Sequence, residues 1–187
     1  MCLTWLMLVN PYGEDPLRLA VHLVNSPPAG PAALREICLA AGVVLERPVD
    51  QRDLVQTAWM LEAWQRIVDA PEPDLRAQIL NALLAESATY PSLTNHNGQG
   101  WHLHYREADL ALWQILRTMV YVGTALHFAT RGIHRLGRCS AVGCRRIYAD
   151  FSRPGTQRYC SPSCSNRDAV RRHRNRLDSV RTAGSGG

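Results

Sequence analysis

Four cysteines in the last third of the chain are the residues most able to do chemistry: Cys139, Cys144, Cys160 and Cys164. Their spacing is Cys-x4-Cys, fifteen residues, then Cys-x3-Cys. Zinc takes four thiolates in a tetrahedron, and two sequence-close pairs are the usual way to deliver them. Gly143, just before the second cysteine, suits a tight turn that folds both sulfurs inward. Cys160 and Cys164 stand four apart, so they share one face of a helical first turn that Pro162 can open. The spacing predicts one structural Zn2+ held by all four, with a hairpin knuckle and a helix N-terminus each supplying two ligands, a treble-clef-like arrangement. Two reduced thiol pairs or a disulfide arrangement are the alternatives. Met1–Val9 has no basic start and no cleavage site after it, so no export signal is read and disulfides are disfavoured. Four protein ligands leave no open position for water, so no enzyme is expected. A unit of about 40 residues is too small for a good core, so the metal is expected to supply most of its folding free energy, about 10–16 kcal/mol. Cys2 and Cys38 stand alone among apolar neighbours and read as inert thiols.

The helix that opens at the second cysteine pair is rich in cations. It carries Asn166, Arg167, Arg171, Arg172, His173, Arg174 and Arg176, with Asp168 its one acid before Asp178. Arg167, Arg171 and Arg174 share a face, and like charges at this spacing destabilise a free helix. Their retention makes most sense if phosphates neutralise them, so nucleic-acid binding is expected from Arg153, Arg158, Asn166, Arg167, Arg171, Arg172, Arg174 and Arg176. Arg138, Arg145 and Arg146 add charge from the knuckle. All 21 basic residues are arginine, whose guanidinium fork suits phosphate and guanine edges. Residues 1–130 hold 8 Arg against 13 Asp and Glu, a net of −5; residues 131–187 hold 13 Arg against 3 Asp, a net of +10. An acidic body with a basic tail is the asymmetry of a regulator with a separate polyanion-binding module. The rivals are an RNA-binding protein and a protein–protein adaptor. RNA would call for aromatics free to stack, and only Tyr148, Phe151 and Tyr159 lie nearby.

The elements that must position these residues read as mostly helical. Pro16–Asn25 is a compact apolar run that fits a strand or a short helix. Pro31–Ala41 reads as a helix stopped by Gly42. Asp50 is a good N-cap for a helix over Gln51–Ala70 with Leu54, Ala58, Leu61, Trp64 and Val68 as its apolar face. Pro73 opens a further helix with Leu75, Ile79 and Leu83 on one face. Asn95–Gly100 is turn chemistry, and Trp101–Tyr105 alternates, so a small hairpin or an edge strand is expected. A long helix from about Glu107 to Arg131 leads to Gly132 and the finger. Its apolar stretch is interrupted by Gln114, Arg117 and His127 and is too short after Arg117 to span a bilayer, so it reads as a buried helix. Trp59, Trp64 and Trp113 read as core. His102 and His104 alternate on one strand face, with no third ligand in view. No phosphate-binding glycine loop or nucleophile elbow is found.

Residues 139–176 resemble the CGNR zinc finger of bacterial regulators that carry an ABATE-type N-terminal domain. The matching residues are Cys139-x4-Cys144, Asp150-Phe151-Ser152-Arg153, Gly155, Arg158-Tyr159-Cys160-Ser161 and Cys164-Ser165-Asn166-Arg167. Ser165 stands where the naming tetrapeptide has glycine, and Tyr159 where the family commonly has tryptophan. Leu19–Asn25 is similar to the opening run of the ABATE-type domain. The resemblance implies a DNA-binding, stress-responsive transcriptional regulator whose N-terminal domain senses a small-molecule effector; with no export signal and no membrane span read, the expected location is cytoplasmic and nucleoid-associated. The expected fold is mainly α with minor β. A helical N-terminal domain covers residues 1–135, a small C-terminal treble-clef-like zinc finger with its basic helix covers 136–180, and 181–187 form a flexible tail.

Overall fold

The computed structural model describes residues 14–45, 47–87, 92–94, 102–104 and 110–184. Cys2, the Asn95–Gly100 turn and the stretch 105–109 lie outside the described residues. The ambiguous first run is a helix, α1 (Glu14–Asn25). Glu14 and Asp15 favour its N-terminus, and Leu17, Ala20 and Leu23 bury one side. Helix α2 (Pro31–Ala40) starts on its proline and is followed by Gly42 at φ 78°, the left-handed conformation that closes helices. Cys38 on α2 is fully buried, and burial pushes its thiol up to about 12, with Asp53 adding to the effect.

Helix α3 (Gln51–Asp69) starts at Asp50, whose carboxylate accepts from the Asp53 amide while Asp53 accepts from the Asp50 amide. This reciprocal cap satisfies two orphan donors. The buried stripe of α3 is rotated from the expected one. It runs Asp53, Thr57, Met60, Leu61, Trp64, Ile67 and Val68, while Ala58 is exposed and Trp59 is 62% exposed. The cause is that Asp53 is polar but fully engaged: its other oxygen site accepts from the Trp113 amide at 3.1 Å, which ties the start of α3 to the start of α5. Trp113 is half-buried and Trp64 fully buried, its indole N–H donating to Thr124 Oγ1 at 2.9 Å.

Helix α4 (Pro73–Ser87) buries Leu80, with Ile79, Leu83 and Leu84 partly buried beside it, and leaves Leu75 exposed. Its inner side also presents Arg76. That guanidinium donates to four carbonyls, those of Ala70, Val68, Ile133 and Leu136, at 2.8 to 3.1 Å. Strands β1 (Ser92–Thr94) and β2 (His102–His104) form an antiparallel pair, as the alternation of Trp101–Tyr105 suggested. Helix α5 (Leu112–Arg131) starts later than Glu107, because the Gln114 side chain caps the Ala111 amide and Leu110 lies outside the helix. Among the described residues no helix is long and apolar enough to cross a membrane.

After Gly132 and a single 3-10 turn (Ile133–Arg135), strands β3 (Leu136–Arg138) and β4 (Ile147–Ala149) pair antiparallel. Leu136, Ile147 and Ala149 belong to the same core as α1, α3 and α5. The hairpin is therefore rooted in the helical body. Asn25 at the end of α1 treats β4 as a neighbouring strand would: its amide donates to the Ile147 carbonyl and accepts from the Ile147 N–H, both at 2.8 Å. Arg138 forms a two-point pair with Asp69 at 2.7 and 2.8 Å. The last helix is α6 (Pro162–Gly184).

Candidate metal centre and nucleic-acid interface

Cys139 leaves the end of β3, and the Cys144 amide donates back to the Ala141 carbonyl at 3.0 Å, so the chain reverses over Ala141–Cys144. Gly143 sits in this turn at φ 75°, which explains a glycine there. The Cys139 amide then donates to the Arg146 carbonyl at 2.9 Å, and the chain enters β4. From the other side Ser161 caps α6 by accepting from the Cys164 amide at 3.2 Å, which places Cys160 and Cys164 one turn apart.

The four sulfurs lie within 4.8 Å of one another. Three of the edges measure 3.8 Å (Cys144–Cys160), 3.6 Å (Cys160–Cys164) and 3.9 Å (Cys144–Cys164). A tetrahedron of thiolates around zinc, with Zn–S of about 2.3 Å, has edges of about 3.8 Å. A disulfide needs about 2.05 Å, and the four cysteines are free thiols. The donor set and its size therefore fit one structural zinc ion, and the four cysteines form that site. Ser161 draws the Cys164 thiol down to about 7, while burial and the neighbouring sulfurs push Cys160 up to about 12. Four thiolates around Zn2+ carry net negative charge, and two donors face it. The Cys160 amide lies 3.4 Å from Cys139 Sγ, and Arg167 Nη2 lies 3.5 Å from Cys164 Sγ.

Asp150 organises the loop between β4 and the second cysteine pair. It is fully buried and accepts from the Ser152 amide at 2.8 Å, the Ser152 hydroxyl at 2.5 Å and the Gln157 amide at 2.9 Å. Burial alone would raise its pKa, but the bonds from Ser152 and Gln157, with Arg135 nearby, hold it below the usual carboxylate range. Arg135 also reaches across the loop, donating to the Ser152 carbonyl at 2.5 Å. Gly155, at φ 68°, lies beneath the same guanidinium: a Cβ there would come within 2.5 Å of Arg135. Asp150, Ser152 and Gly155, quoted above only as matching positions, thus shape the loop that delivers Cys160.

The arginines divide into two groups. Asp168, 5% exposed, accepts from the Tyr159 hydroxyl at 2.9 Å and from Arg171 at 2.9 and 3.2 Å, and it pairs with Arg172 at 3.3 Å. The Tyr159 bond first, and then Arg171, hold its carboxyl below the ordinary range. Arg167, Arg171 and Arg172 therefore have partners inside the finger. Arg153, Arg158, Asn166, Arg174 and Arg176 are exposed, and their side chains have no hydrogen-bond or ion-pair partner among the described residues. Two of the three aromatics are engaged. Arg18 stacks on Phe151 at 4.0 Å and Tyr159 holds Asp168, whereas Tyr148 is half-buried on β4 and lines a cleft beside α1. The side chains of His102 and His104 lie outside the described residues.

Sequence reasoning did not find Asn25 or Arg76 as joining residues, because their partners are backbone groups that carry no residue signature. Asp168 and Tyr159 were in view, but their pairing depends on the turn between them. Comparison with known families gives two matches. The CGNR zinc finger matches residues 135–177. The ABATE family, whose description reads "Putative stress-induced transcription regulator", matches residues 17–125. Comparison with curated proteins gives no match. With more than half of its length matched by the one and its metal centre by the other, the chain belongs to the ABATE family and ends in a CGNR zinc finger.

Proposed function

We propose that this protein is a DNA-binding transcriptional regulator, with the zinc finger as its DNA-contacting part and the helical domain as the part that responds to a small-molecule effector. It works by binding and carries no catalytic site. The observation that carries this reading is the surface of α6 and the loop before it. Arg153, Arg158, Arg174 and Arg176 are exposed and have no partner among the described residues, on the module that holds the metal centre. Unpaired guanidiniums on one module are the electrostatic footprint of a phosphate-binding face. Asn166, exposed in the first turn of α6, is the nearest amide able to read a base edge. Arg171 and Arg172 share the negative charge of Asp168, so they add less net positive charge to this face. The RNA reading has less support, because stacking needs free aromatic faces, and Phe151 is covered by Arg18 while Tyr159 is tied to Asp168. Such a regulator works in the cytoplasm, at the nucleoid.

The test is a fluorescence titration of the zinc-loaded chain with mixed-sequence duplex DNA at about 50 and about 200 mM salt. Several phosphate contacts give a log–log slope of about −0.9 per contact, so affinity should fall steeply between the two. Salt-sensitive binding that a Cys160→Ser/Cys164→Ser variant loses supports the proposal. An intact, zinc-loaded protein that ignores duplex DNA at the lower salt sinks it.

A further inference from the structure

A cleft of about 620 Å3 opens between α1 and the finger. One wall is α1, with Arg18, Val21, His22 and Asn25. The other is the β4 side of the finger, with Arg146, Phe151, Gln157 and the zinc ligand Cys160 among its residues. Ligand pockets fall in this size range and concentrate where two structural units meet. The charge is one-sided. Two guanidiniums and an imidazole line the cleft, and among the described residues no carboxylate does.

The lining groups divide into those already committed and those available. Asn25 is spent on Ile147, and Gln157 donates to the Tyr159 carbonyl at 3.0 Å. Arg146 is exposed, and its guanidinium has no partner among the described residues. Arg18 has Glu14 at 3.7 Å, but Glu14 is held more closely by Arg131. Stacking on Phe151 fixes the Arg18 guanidinium in place. A flat cation on an aromatic face leaves its edge donors free for a carboxylate or phosphate.

We propose that this cleft binds a small organic anion, a flat apolar body carrying a carboxylate or a phosphate. The anionic group would sit between Arg18 of α1 and Arg146 of the finger, with the body against Tyr148 and Val21. The occupant touches both modules and lies beside Cys160, so its binding energy strengthens the docking of the finger on the helical body. This deepens the reading of the helical domain as the responding part, but binding in the cleft is measured without DNA and stands or falls separately.

The experiment is calorimetric titration of the full, zinc-loaded chain with phenyl phosphate, benzoate and, as a neutral control, benzyl alcohol. At least one of the two anions should bind with a dissociation constant on the order of 1 mM, as suits a ligand of this size. Which of the two binds tighter identifies the anionic group. Benzyl alcohol should bind at least about tenfold more weakly. An Arg18→Gln/Arg146→Gln variant with unchanged zinc content and melting temperature should lose the anion by about tenfold. An Arg174→Gln/Arg176→Gln variant should keep it. The proposal is overturned if neither anion binds, if the alcohol binds equally, or if the α6 variant loses the anion as the cleft variant does, which would make binding a general attraction to positive charge. It is also overturned if duplex DNA displaces the anion and Arg18→Gln weakens duplex binding, since the cleft would then hold a backbone phosphate.

Discussion

Asp150 is the residue on which the finger loop turns, and its environment makes two testable statements. Removing its carboxylate breaks three hydrogen bonds to a buried charged acceptor, and hydrogen bonds to charged groups are worth about 1.5–3 kcal/mol each. Asp150→Ala should therefore lower stability by about 3 kcal/mol in urea unfolding of the zinc-loaded protein, and a loss below about 1 kcal/mol would contradict this account. The folded carboxyl lies below its unfolded value, so its contribution is fully present above the ordinary aspartate range and is lost as pH falls through the folded pKa. Arg76 makes the complementary case. Its four carbonyl partners belong to the end of α3 and to the start of the finger hairpin, and burial lowers its pKa without making it neutral. Arg76→Met keeps the stem but orphans those carbonyls, and should cost about 2–3 kcal/mol, with Arg76→Lys recovering only part because an ammonium cannot span the fork. The zinc cysteines were legible from sequence because few residue types bind zinc and their spacing is restricted. Arg76 was not, because a backbone carbonyl can be supplied by any residue.

At the scale of elements, caps and punctuation were legible and faces less so. Asp50, Pro31, Pro73 and Gly132 each act on the local backbone, and the helices begin and end near them. The α3 stripe was misplaced because apolarity was taken as the sign of burial, whereas Asp53 and Thr57 are buried and Trp59 is exposed. The α1 run fits either period, and the structure settles it because α5 and β4 offer it a surface to pack on. Asn25 joins these elements. Its side chain gives β4 one extra pair of ladder bonds, so Asn25→Ala should speed hydrogen exchange of the Ile147 amide while α3 and α5 stay protected. Unchanged exchange at Ile147 would show that the bond does not hold the hairpin to α1. Arg138 and Asp69 join the hairpin to α3 in the same way. The hydrogen bond from Arg138 holds the Asp69 carboxyl below its usual range, so this link weakens as pH falls through that lowered pKa. On α6 the two groups of arginines should behave differently. Arg174→Gln and Arg176→Gln should each reduce the slope of DNA affinity against salt by about 0.9, whereas Arg171→Gln should change it less.

For the whole molecule, the question is how far the metal holds the chain together. A finger of this size, read in isolation, depends on zinc for most of its folding. The structure divides that dependence. The knuckle and the start of α6 have only a small core of their own, made of Cys139, Ala141 and Cys164 with Cys144, Tyr159 and Cys160 around them. The hairpin next to them has another source of stability. Leu136, Ile147 and Ala149 lie in the helical core, and Asn25, Arg76 and Arg138 fasten the same strands to α1, α4 and α3. Chelation should then unfold the protein unevenly. Amides of residues 139–146 and 157–176 should lose protection when zinc is removed, while those of β3 and β4 keep protection comparable with α5. Exchange read by mass spectrometry on the zinc-loaded and chelated protein distinguishes the outcomes. Loss across the hairpin and knuckle together would mean that the zinc finger folds as one metal-dependent unit and that its contacts with the helical body follow from metal binding. Retention in the hairpin alone would mean that the helical body presents a preformed half-site. Zinc then completes a surface whose strands the body has already placed, and any change in how α1 holds β4 reaches the metal centre through Arg146 and the Cys139 amide bonded to its carbonyl.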